Sequence, residues 1–479
     1  MVQQAAFNQQ EIQAVIERVR LKLRGHTETA PAEAVQTSGD GIYPTIDAAV
    51  AAGRKAFECY RAMGLKKRHR VIDSVRSAMR AKARELAEMA AEETGLGRAD
   101  DKETKNLLVI EKTPGPEDLE PRVWSGDQGL TVTEYAPFGV IGAITPTTNP
   151  TATIINNTIA IVSAGNAVVF NPHPSAKKVS VHAVRLINQA IVAAGGPADI
   201  VTATPEPTIE SAQRLMNHPQ VRVLMVTGGP GVVKEAQKTR KRSILAGPGN
   251  PPVVVDSNAD IELAGREIVR GASFDNNVIC TDEKVVVVVD SVADKLLNEM
   301  VRNNAYLLKE YELKKIERVI FSEIGEAGKP GRVNPRWIGQ NAGLILKEIG
   351  VHTETDIRLV VADVPREHSL VWTEQMMPVM PVVRVGTVDE AIDFAIRAEK
   401  GCCHTASIYS RDVNAITWMA RDIDVSIFVA NAANLAGLGN GGEGYTSFSI
   451  ASPTGEGLTR PRSFSRDRRI TVAGGLRIV

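Results

Sequence analysis

Five apolar residues near the start of the chain recur at helical spacing. They form one stripe of an amphipathic helix that is predicted within residues 1–25: Ile12, Val15, Ile16, Val19 and Leu23. Residues 26–42 are rich in Ala, Thr, Pro and Gly without periodicity, which predicts a flexible linker. A short tethered helix cannot bury its stripe alone. It therefore either docks on its own domain or an oligomer neighbour, or serves as a targeting or assembly peptide.

From Tyr43 onward, short apolar runs alternate with longer amphipathic stretches. Helices are predicted over 46–93 with a break near Gly64, and over 150–164, 175–194 and 232–240. Strands are predicted over 130–136, 140–145, 167–171, 221–227 and the valine run 285–289. Residues 252–392 repeat the alternation. This order of strand, turn and helix predicts an α/β protein with parallel sheets, arranged as two α/β lobes.

Composition excludes several classes of protein. Hydrophobic residues make up 43% and charged residues 23% of the 479 residues, which is ordinary for a globular protein with large cores. Fifty-six Lys and Arg balance fifty-six Asp and Glu, so the basic excess typical of nucleic-acid binding is missing. No stretch approaches the roughly 18 apolar residues of a membrane span, and the N-terminus lacks an apolar signal-peptide core. Four cysteines do not make a secreted disulfide framework, so we expect a soluble intracellular enzyme.

Cys280 lies between an Asn pair and the valine run 285–289. A cysteine between polar residues and the entrance of a strand fits the edge of a lobe, where a substrate can reach it. Cysteine suits covalent catalysis near neutral pH because a lowered pKa exposes a strongly nucleophilic thiolate. An isolated cysteine is nevertheless more often inert, and the local sequence alone leaves both interpretations open.

Other candidate motifs carry less information. Cys402, Cys403 and His404 are adjacent, and neighbouring strand residues point to opposite faces, so no metal site is expected there. His404 is either polar lining or a structural histidine.

Two glycine-rich segments are candidates for a phosphate-binding turn. Residues 439–444 match G-x-G-x-x-G, but an extended segment is predicted after them rather than the helix that dinucleotide binding requires. Residues 227–231, Thr-Gly-Gly-Pro-Gly, follow a predicted strand and open a helix, which suits either a pyrophosphate or an ordinary glycine turn. The basic run 66–70 is expected to be a solvated helix face.

Several motifs, in their order and spacing, resemble the aldehyde dehydrogenase superfamily from about Tyr43 to the C-terminus. They are Thr145-Pro146-Thr147-Thr148-Asn149-Pro150, Val226-Thr227-Gly228, Asn258-Ala259-Asp260-Ile261, Cys280 and Glu374. The stretches T-P-T-T-N-P-T, F-N-P-H-P-S and G-C-C-H-T-A-S-I resemble the CoA-acylating branch, close to the propionaldehyde and acetaldehyde dehydrogenases of bacterial microcompartments. The N-terminal helix and linker resemble the encapsulation peptide of that branch. The resemblance therefore implies a microcompartment shell protein as a partner of residues 8–25, and a location in the bacterial cytoplasm inside a microcompartment.

The resemblance also implies a domain organisation. The expected α/β fold is aldehyde dehydrogenase-like, with two Rossmann-type lobes, one for the cofactor and one for catalysis, and a small oligomerisation β element. Residues 43–250 are expected to form the NAD-binding domain, with part of the oligomerisation element near 115–135, and residues 251–430 the catalytic domain. Residues 431–479 are expected to return to the cofactor lobe and to end in an extended oligomerisation tail over 469–479. We expect a homo-oligomer, either a dimer or a tetramer.

The resemblance implies that Cys280 attacks the aldehyde to form a thiohemiacetal. Hydride transfer to the nicotinamide then leaves a thioester on Cys280. Hydrolytic members of the superfamily carry a Glu that activates water for deacylation, and this position is Ala246 here. A methyl group accepts no proton, whereas a thiol needs less activation than water does. This departure predicts that coenzyme A, rather than water, takes the acyl group.

Asn149 is the expected oxyanion donor, together with the backbone N–H of Cys280. It stands one position later than the Asn of hydrolytic members, so Thr148 or a backbone amide remains an alternative. The resemblance assigns these residues to cofactor binding: Thr145, Pro146, Thr147, Asn171, Pro172, His173, Thr227, Gly228, Gly229 and Glu374. Asn171 and Pro174 stand where relatives carry a Lys that binds the adenosine ribose and a neighbouring Glu. Because the missing acid relaxes rejection of a 2′-phosphate, NAD is expected ahead of NADP without excluding it.

The resemblance as a whole implies NAD-dependent, CoA-acylating oxidation of a short-chain aldehyde, with propionaldehyde ahead of acetaldehyde and without a metal. Three alternatives remain: a hydrolytic aldehyde dehydrogenase that makes the free acid, a phosphorylating reductase of the glutamate-semialdehyde type, and a catalytically silent shell-assembly protein. NADH production without CoA would identify the first, and phosphate dependence the second. Intact Cys280 and Glu374 argue against the third. No nucleic-acid or membrane partner is expected.

Overall fold

The computed structural model describes residues 40–476. The helix predicted within 1–25, most of the 26–42 linker and the last three residues of the predicted 469–479 tail lie outside the described residues. None of the helices within residues 40–476 is both long and apolar enough to cross a membrane.

The α-helices of the described range mostly follow the predicted pattern. They are α1 (Ile46–Tyr60), α2 (Leu65–Ala81), α3 (Ala83–Thr94), α4 (Ala99–Lys112), α5 (Pro150–Ser163), α6 (Lys177–Ala193), α7 (Ile209–Asn217), α8 (Pro230–Lys238), α9 (Ile261–Ala272), α10 (Asp290–Arg302), α11 (Glu310–Ile320), α12 (Ala342–Glu348), α13 (Val388–Glu399) and α14 (Val413–Asp422). Short 3₁₀ turns lie at Pro116–Leu119, Pro174–Ala176, Phe274–Asn277, Pro335–Trp337, Asn434–Leu438 and Pro461–Phe464. Helix α8 begins two residues before the predicted 232–240 segment because Pro230, in its first turn, has a φ suited to starting a helix.

The strands form two large parallel sheets and smaller antiparallel ones. They are β1 (Arg122–Gly126), β2 (Gly129–Pro137), β3 (Val140–Ile144), β4 (Ala167–Asn171), β5 (Val201–Ala203), β6 (Val221–Thr227), β7 (Arg242–Ala246), β8 (Pro252–Val255), β9 (Val285–Val289), β10 (Ala305–Leu307), β11 (Phe321–Glu323), β12 (Arg332–Val333), β13 (Leu359–Asp363), β14 (Val379–Val385), β15 (Thr405–Tyr409), β16 (Ile427–Ala430), β17 (Ile450–Ala451), β18 (Gly457–Leu458) and β19 (Ser465–Ala473). This arrangement confirms the predicted α/β class with parallel sheets.

The first large sheet has the strand order β5-β4-β3-β6-β7, with all pairs parallel. Strands β3 and β4 are buried along their whole length, which is why their sequences are continuous apolar runs rather than alternating ones. The carboxyl ends of β3, β4, β6 and β7 lie along one edge of this sheet, where the connecting segments carry most of the predicted site residues.

The second large sheet has the order β10-β13-β14-β9-β8-β15-β16 and is also parallel. Its valine strand β9 is buried on both faces, since Val285 and Val287 belong to one core cluster whereas Val286 and Val288 belong to another. The loop that carries Cys280 leads directly into this strand, so the rigid β9 anchors one end of that loop.

A three-stranded antiparallel sheet combines β1 and β2 with the distant β19, and Arg469 lies opposite Thr133. The predicted tail 469–479 is therefore corrected: its strand begins earlier, at Ser465, and ends at Ala473. Most of β19 is exposed in the single chain. Its expected role in oligomerisation stays a prediction.

The basic run 66–70 differs from expectation at one residue. Arg68 is buried, and its guanidinium donates to the carbonyl oxygens of Met63 at 3.2 Å and Ser163 at 3.4 Å. Burial lowers its pKa. Local sequence gave no sign of this, because the carbonyl of Ser163 comes from a distant helix end. The rest of the run faces outward as predicted.

Candidate active site

A cavity of about 480 Å³ opens at the carboxyl edge of the five-stranded sheet. Every residue that sequence analysis assigned to catalysis or cofactor binding lines it: Thr145, Pro146, Thr147, Asn149, Asn171, Pro172, His173, Thr227, Gly228, Gly229, Cys280 and Glu374. Thr148, the alternative oxyanion donor, lines it too. Segments that are far apart in the chain meet here because parallel strands present their carboxyl ends on the same side.

A left-handed loop delivers Cys280 to the cavity wall. Asp275, Asn276 and Asn277 have φ values of 45°, 55° and 64°, a region that Asp and Asn tolerate better than most residues do. Their side chains fasten the loop: Asn276 Nδ2 donates to Gly339 O at 2.8 Å, and Asn277 Nδ2 donates to the carbonyl oxygen of residue 272 at 2.7 Å. The Asn pair noted in the sequence is thus a support for the loop.

Cys280 is partly exposed to the cavity. Burial raises the pKa of its thiol to about 12, and the negative charge of Glu374 acts in the same direction. The ammonium group of Lys284 opposes both. The sequence argument that assumed a lowered pKa is therefore wrong for the ligand-free chain, since a thiolate in this apolar pocket loses hydration.

Glu374 lines the same cavity as Cys280. Its Oε1 accepts the backbone N–H of Gly249 at 3.3 Å, and burial raises its pKa. A Cβ atom on Gly249 would lie 2.7 Å from the carbonyl oxygen of Cys280 and 3.0 Å from Cγ of His404. Glycine is therefore required for the close packing of this segment against the nucleophile.

Ala246 ends strand β7, where it pairs with Thr227. Its side chain is buried and its carbonyl oxygen accepts the N–H of Gly228 at 3.1 Å. Among the described residues that line the cavity, Glu374 is the only carboxylate. Ala246 itself is not among the described residues that line the cavity, whereas Gly247 and Pro248, which follow it, are. The assignment of Ala246 to the position of the hydrolytic base stays a prediction from the family resemblance.

Asn149 stands at the N-cap position of α5, just before Pro150, and its side chain makes no capping hydrogen bond to the helix. Its Oδ1 accepts a hydrogen bond from Lys105 Nζ at 2.6 Å, and its Nδ2 donates to Thr148 Oγ1 at 3.1 Å. Lys105 also bonds the carboxylate of Asp275, and Lys102 Nζ donates to the same carboxylate at 2.9 Å. Sequence analysis missed both lysines.

The rest of the cavity suits a dinucleotide. The Thr227-Gly228-Gly229 turn leads into the N-terminus of α8, where backbone N–H groups favour an anion such as a pyrophosphate. Thr227 Oγ1 is held at 2.9 Å from Ser449 Oγ. Asn171 Oδ1 accepts the hydroxyl of Ser211. Apolar side chains cover the remaining wall, as an adenine ring requires.

A family model for the aldehyde dehydrogenase family matches residues 27–309 and 358–452. The chain belongs to the aldehyde dehydrogenase family. It is 48% identical to the acetylating acetaldehyde dehydrogenase EutE of Salmonella typhimurium, over 99% of this chain and 100% of that protein.

Solved structures of family members superpose closely. A propionaldehyde dehydrogenase of Rhodopseudomonas palustris with bound CoA and an acylated cysteine is 45% identical, with a TM-score of 0.88 over 91% of this chain and 98% of that one. A propionaldehyde dehydrogenase from the fucose utilisation bacterial microcompartment of Clostridium phytofermentans is 42% identical, with a TM-score of 0.89 over 92% of this chain and 100% of that one. The aldehyde dehydrogenase-like fold predicted from the motifs is confirmed.

Cys402 and Cys403 precede β15 and are not among the described residues that line the cavity. Burial raises the pKa of Cys402 to about 11. Within residues 40–476, no group of three or more His, Cys, Asp and Glu side chains is arranged to hold a metal ion. His404 is fully buried; its Nδ1 lies 2.8 Å from Thr405 Oγ1, whereas its Nε2 has no partner among the described residues. One ring nitrogen of His404 therefore has a hydrogen-bond partner among the described residues, and the other has none.

The 439–444 segment follows a 3₁₀ turn, and no helix begins directly after it. A dinucleotide fingerprint instead follows a strand and opens a helix. Lys112 Nζ donates to the carbonyl oxygens of Gly439 at 2.6 Å and Gly442 at 3.1 Å. The carbonyl groups of this glycine loop bind Lys112. Its match to the G-x-G-x-x-G pattern is therefore accidental.

Proposed function

We propose that this chain is an NAD-dependent, CoA-acylating aldehyde dehydrogenase that oxidises short aldehydes, with propionaldehyde and acetaldehyde as substrates. One observation carries the proposal: Cys280 shares a cavity with Asn149 and Glu374. The family resemblance adds that Ala246, at the end of strand β7, stands where hydrolytic members carry their base. The relatives support it, since those compared above are acetylating or propionaldehyde enzymes and one was solved with CoA and an acylated cysteine.

In the first step, the Cys280 thiol gives its proton to solvent, and its Sγ attacks the aldehyde carbonyl carbon. The π electrons of the carbonyl group move to its oxygen, which gains negative charge. Asn149 Nδ2 and the backbone N–H of Cys280 donate hydrogen bonds to that oxygen. Since Lys105 holds the oxygen end of the Asn149 amide, the nitrogen end is the one available to the substrate. The same two donors serve again when the thioester carbonyl is attacked.

When bound, NAD supplies the hydride acceptor at its nicotinamide, and coenzyme A supplies the thiol that receives the acyl group. Glu374 is proposed to hold the nicotinamide ribose, and Thr227 to Gly229 to lie along the pyrophosphate. Asn171, Pro172 and His173 would form the adenosine end, with Thr145 to Thr147 beside them. No carboxylate at this end, among the described lining residues, would repel a 2′-phosphate. NAD is therefore proposed ahead of NADP without excluding NADP.

Deacylation is where this chain would differ from hydrolytic members. Water needs a base to attack a thioester at a useful rate, and Ala246 has no proton acceptor. A thiol ionises far more easily and is intrinsically more nucleophilic. The thioester on Cys280 would therefore persist until coenzyme A arrives, which gives ping-pong kinetics.

Partners and location are proposed from the relatives and from the N-terminal sequence. Residues 8–25 are proposed to bind a microcompartment shell protein, which would place the enzyme inside a microcompartment of the bacterial cytoplasm. The exposed strand β19 is proposed to pair with another subunit, giving a dimer or a tetramer. Residues 43–250 are proposed as the NAD-binding domain, 251–430 as the catalytic domain, and 431–479 as the return to the cofactor lobe with the oligomerisation tail.

The test follows NADH absorbance after the enzyme is mixed with NAD and propionaldehyde, then after CoA is added. We expect a burst near one equivalent per active site, followed by steady turnover only after CoA. The Cys280→Ala variant serves as the control and should show neither phase. Steady turnover before CoA would mean that water deacylates the enzyme, and turnover only with phosphate would indicate acyl phosphate formation; either result would overturn the proposal. Comparing kcat/KM for propionaldehyde and acetaldehyde would test the predicted order.

A further inference from the structure

Each of the two oxyanion donors proposed above belongs to an amide whose oxygen accepts a hydrogen bond from a buried lysine. The first amide is the side chain of Asn149, and Lys105 Nζ lies 2.6 Å from its Oδ1. A lysine side chain donates from its charged form and accepts nothing, so the amide must present its oxygen to Lys105. Its nitrogen consequently faces away from the lysine, and the hydrogen that does not bond Thr148 Oγ1 is available to a substrate oxygen.

The second amide is the peptide group that joins Ile279 to Cys280. Its carbonyl oxygen accepts a hydrogen bond from Lys284 Nζ at 3.0 Å, and its N–H is the backbone N–H of Cys280. Lys284 Nζ also donates to the carbonyl oxygen of Asn277 at 2.9 Å and to Asn277 Oδ1 at 2.6 Å. Three acceptors match the three hydrogens of an ammonium group. Burial lowers the pKa of Lys284, whereas the neighbouring acidic groups and these three acceptors favour the charged form that the inference requires.

Both lysines are almost completely buried, as is the carboxylate of Asp275. Asp275 bonds Lys105 and Lys102 and also accepts the backbone N–H of Arg98 at 2.7 Å, which fixes the position of Lys105. Lys284 is faced by the acidic side chains of Asp282, Glu283 and Glu374, and by Cys280. Burying an ammonium group costs free energy, whereas an apolar side chain could fill the same space without that cost.

An ammonium group on the oxygen of an amide polarises that amide and strengthens its N–H as a donor, most of all where the local dielectric is low. We propose that Lys105 and Lys284 are positioning residues that orient and polarise the two oxyanion donors, the Asn149 side chain and the Cys280 backbone N–H. The proposal rests on the proposed function, because it concerns the oxygen of an aldehyde attacked by Cys280. Neither lysine is among the described residues that line the cavity. Lys105 acts through the Asn149 side chain, and Lys284 acts through the Cys280 peptide in addition to opposing the raised pKa of the Cys280 thiol.

The test is a double-mutant cycle read out by the rate constant of the NADH burst with NAD and propionaldehyde. Removing a donor costs about 10²- to 10³-fold, which we expect for Asn149→Ala. Removing only its polarising lysine should cost less, about tenfold for Lys105→Met or Lys284→Met, with little change in the KM for aldehyde. Lys105→Met should cost less than about twofold when Asn149 is already Ala, whereas Lys284→Met should still cost its full factor there.

Lys241→Met is the matched control, because Lys241 also donates to two backbone carbonyls, those of His218 and Val221, away from the cavity. It should leave the burst unchanged. Thermal unfolding is measured for every variant. If Lys105→Met fails to fold, Lys105→Gln replaces it, since the neutral amide keeps a donor without the charge; a smaller loss that again vanishes beside Asn149→Ala supports the inference.

The outcomes separate the inference from the function on which it rests. A Lys105 substitution that costs the same factor with and without Asn149 would show a general structural role and overturn the inference alone. A loss confined to the KM for aldehyde would also overturn it. A wild-type enzyme without any burst would overturn the proposed cysteine chemistry, and the inference with it.

Discussion

The resting thiol of Cys280 should react unusually slowly with an alkylating reagent. With a pKa of about 12, a fraction on the order of 10⁻⁴ of the thiol is ionised at pH 8, against about a quarter for a free cysteine with a pKa of about 8.5. A more basic thiolate is more nucleophilic, and a Brønsted slope of about 0.4–0.5 restores about 1.5 orders of magnitude. The net expectation is alkylation about 50- to 100-fold slower than that of an unperturbed cysteine.

The assay is iodoacetamide labelling of the ligand-free enzyme between pH 7 and pH 10, with the extent at each cysteine read by mass spectrometry. Cys59 is exposed and serves as the internal reference in the same tube. Because the pKa of Cys280 lies above this range, its rate should rise about tenfold per pH unit without a plateau.

A variant checks the cause of the shift. The carboxylate of Glu374 is the second largest influence that raises the pKa of the Cys280 thiol, after burial. Glu374→Gln removes this charge and should lower the pKa of the Cys280 thiol. Alkylation at pH 8 should therefore be faster in this variant, by about three- to fourfold for each unit by which the pKa falls. A Cys280 rate that levels off below pH 9 would refute the reasoning, since the thiol would then already be ionised. An unchanged rate in Glu374→Gln would refute the assigned electrostatic contribution.

Three further outcomes are expected. Ala246→Glu should restore a base and give steady NADH production without CoA; a burst that still stops near one equivalent would contradict the role assigned to this position. Gly249→Ala should slow the burst at least about tenfold, because its Cβ would lie 2.7 Å from the carbonyl oxygen of Cys280; wild-type kinetics would show that the loop tolerates the shift. Deletion of residues 1–25 should leave kinetics intact and release the enzyme from the shell fraction; recovery of the truncated enzyme with shells would remove the targeting hypothesis.

The strands that position the site were predictable because they are buried on both faces. Apolar runs at 140–145, 167–171 and 285–289, and the mostly apolar run 221–227 with its exposed Arg222, correspond to strands whose ends differ by at most one residue from these predictions. Since parallel strands place their carboxyl ends together, motifs at those ends had to converge. The cavity residues were recognised through the family resemblance, which fixes their identity but not the interactions that hold them.

Lys102 and Lys105 were missed because a helix rich in charged residues is usually expected to be solvent-exposed. The sequence did contain a signal in α4: Lys102 and Lys105 fall on the same stripe as the apolar Val109, at i, i+3 and i+7. Charged residues on a buried stripe require a partner. That partner, Asp275, is about 170 residues away in the chain, so its identity depends on the tertiary fold. The raised pKa of Cys280 has the same origin, since burial is a property of the assembled cavity.

The proposed role of the Lys105 and Lys284 charges behind the two donor amides is consistent with an alanine, Ala246, at the position that the resemblance assigns to the hydrolytic base. An acyl-enzyme that waits for a thiol develops negative charge on the same oxygen twice, once when Cys280 attacks the aldehyde and once when the thioester is attacked. A carboxylate base beside that oxygen would activate water and oppose the developing charge, whereas polarised N–H donors stabilise the charge in both steps and activate no water. Lysines placed directly in the cavity would attract anions and water. In the arrangement that we propose, Lys105 and Lys284 lie behind Asn149 and the Ile279 carbonyl, where they strengthen the donors while no Lys or Arg is among the described residues that line the cavity.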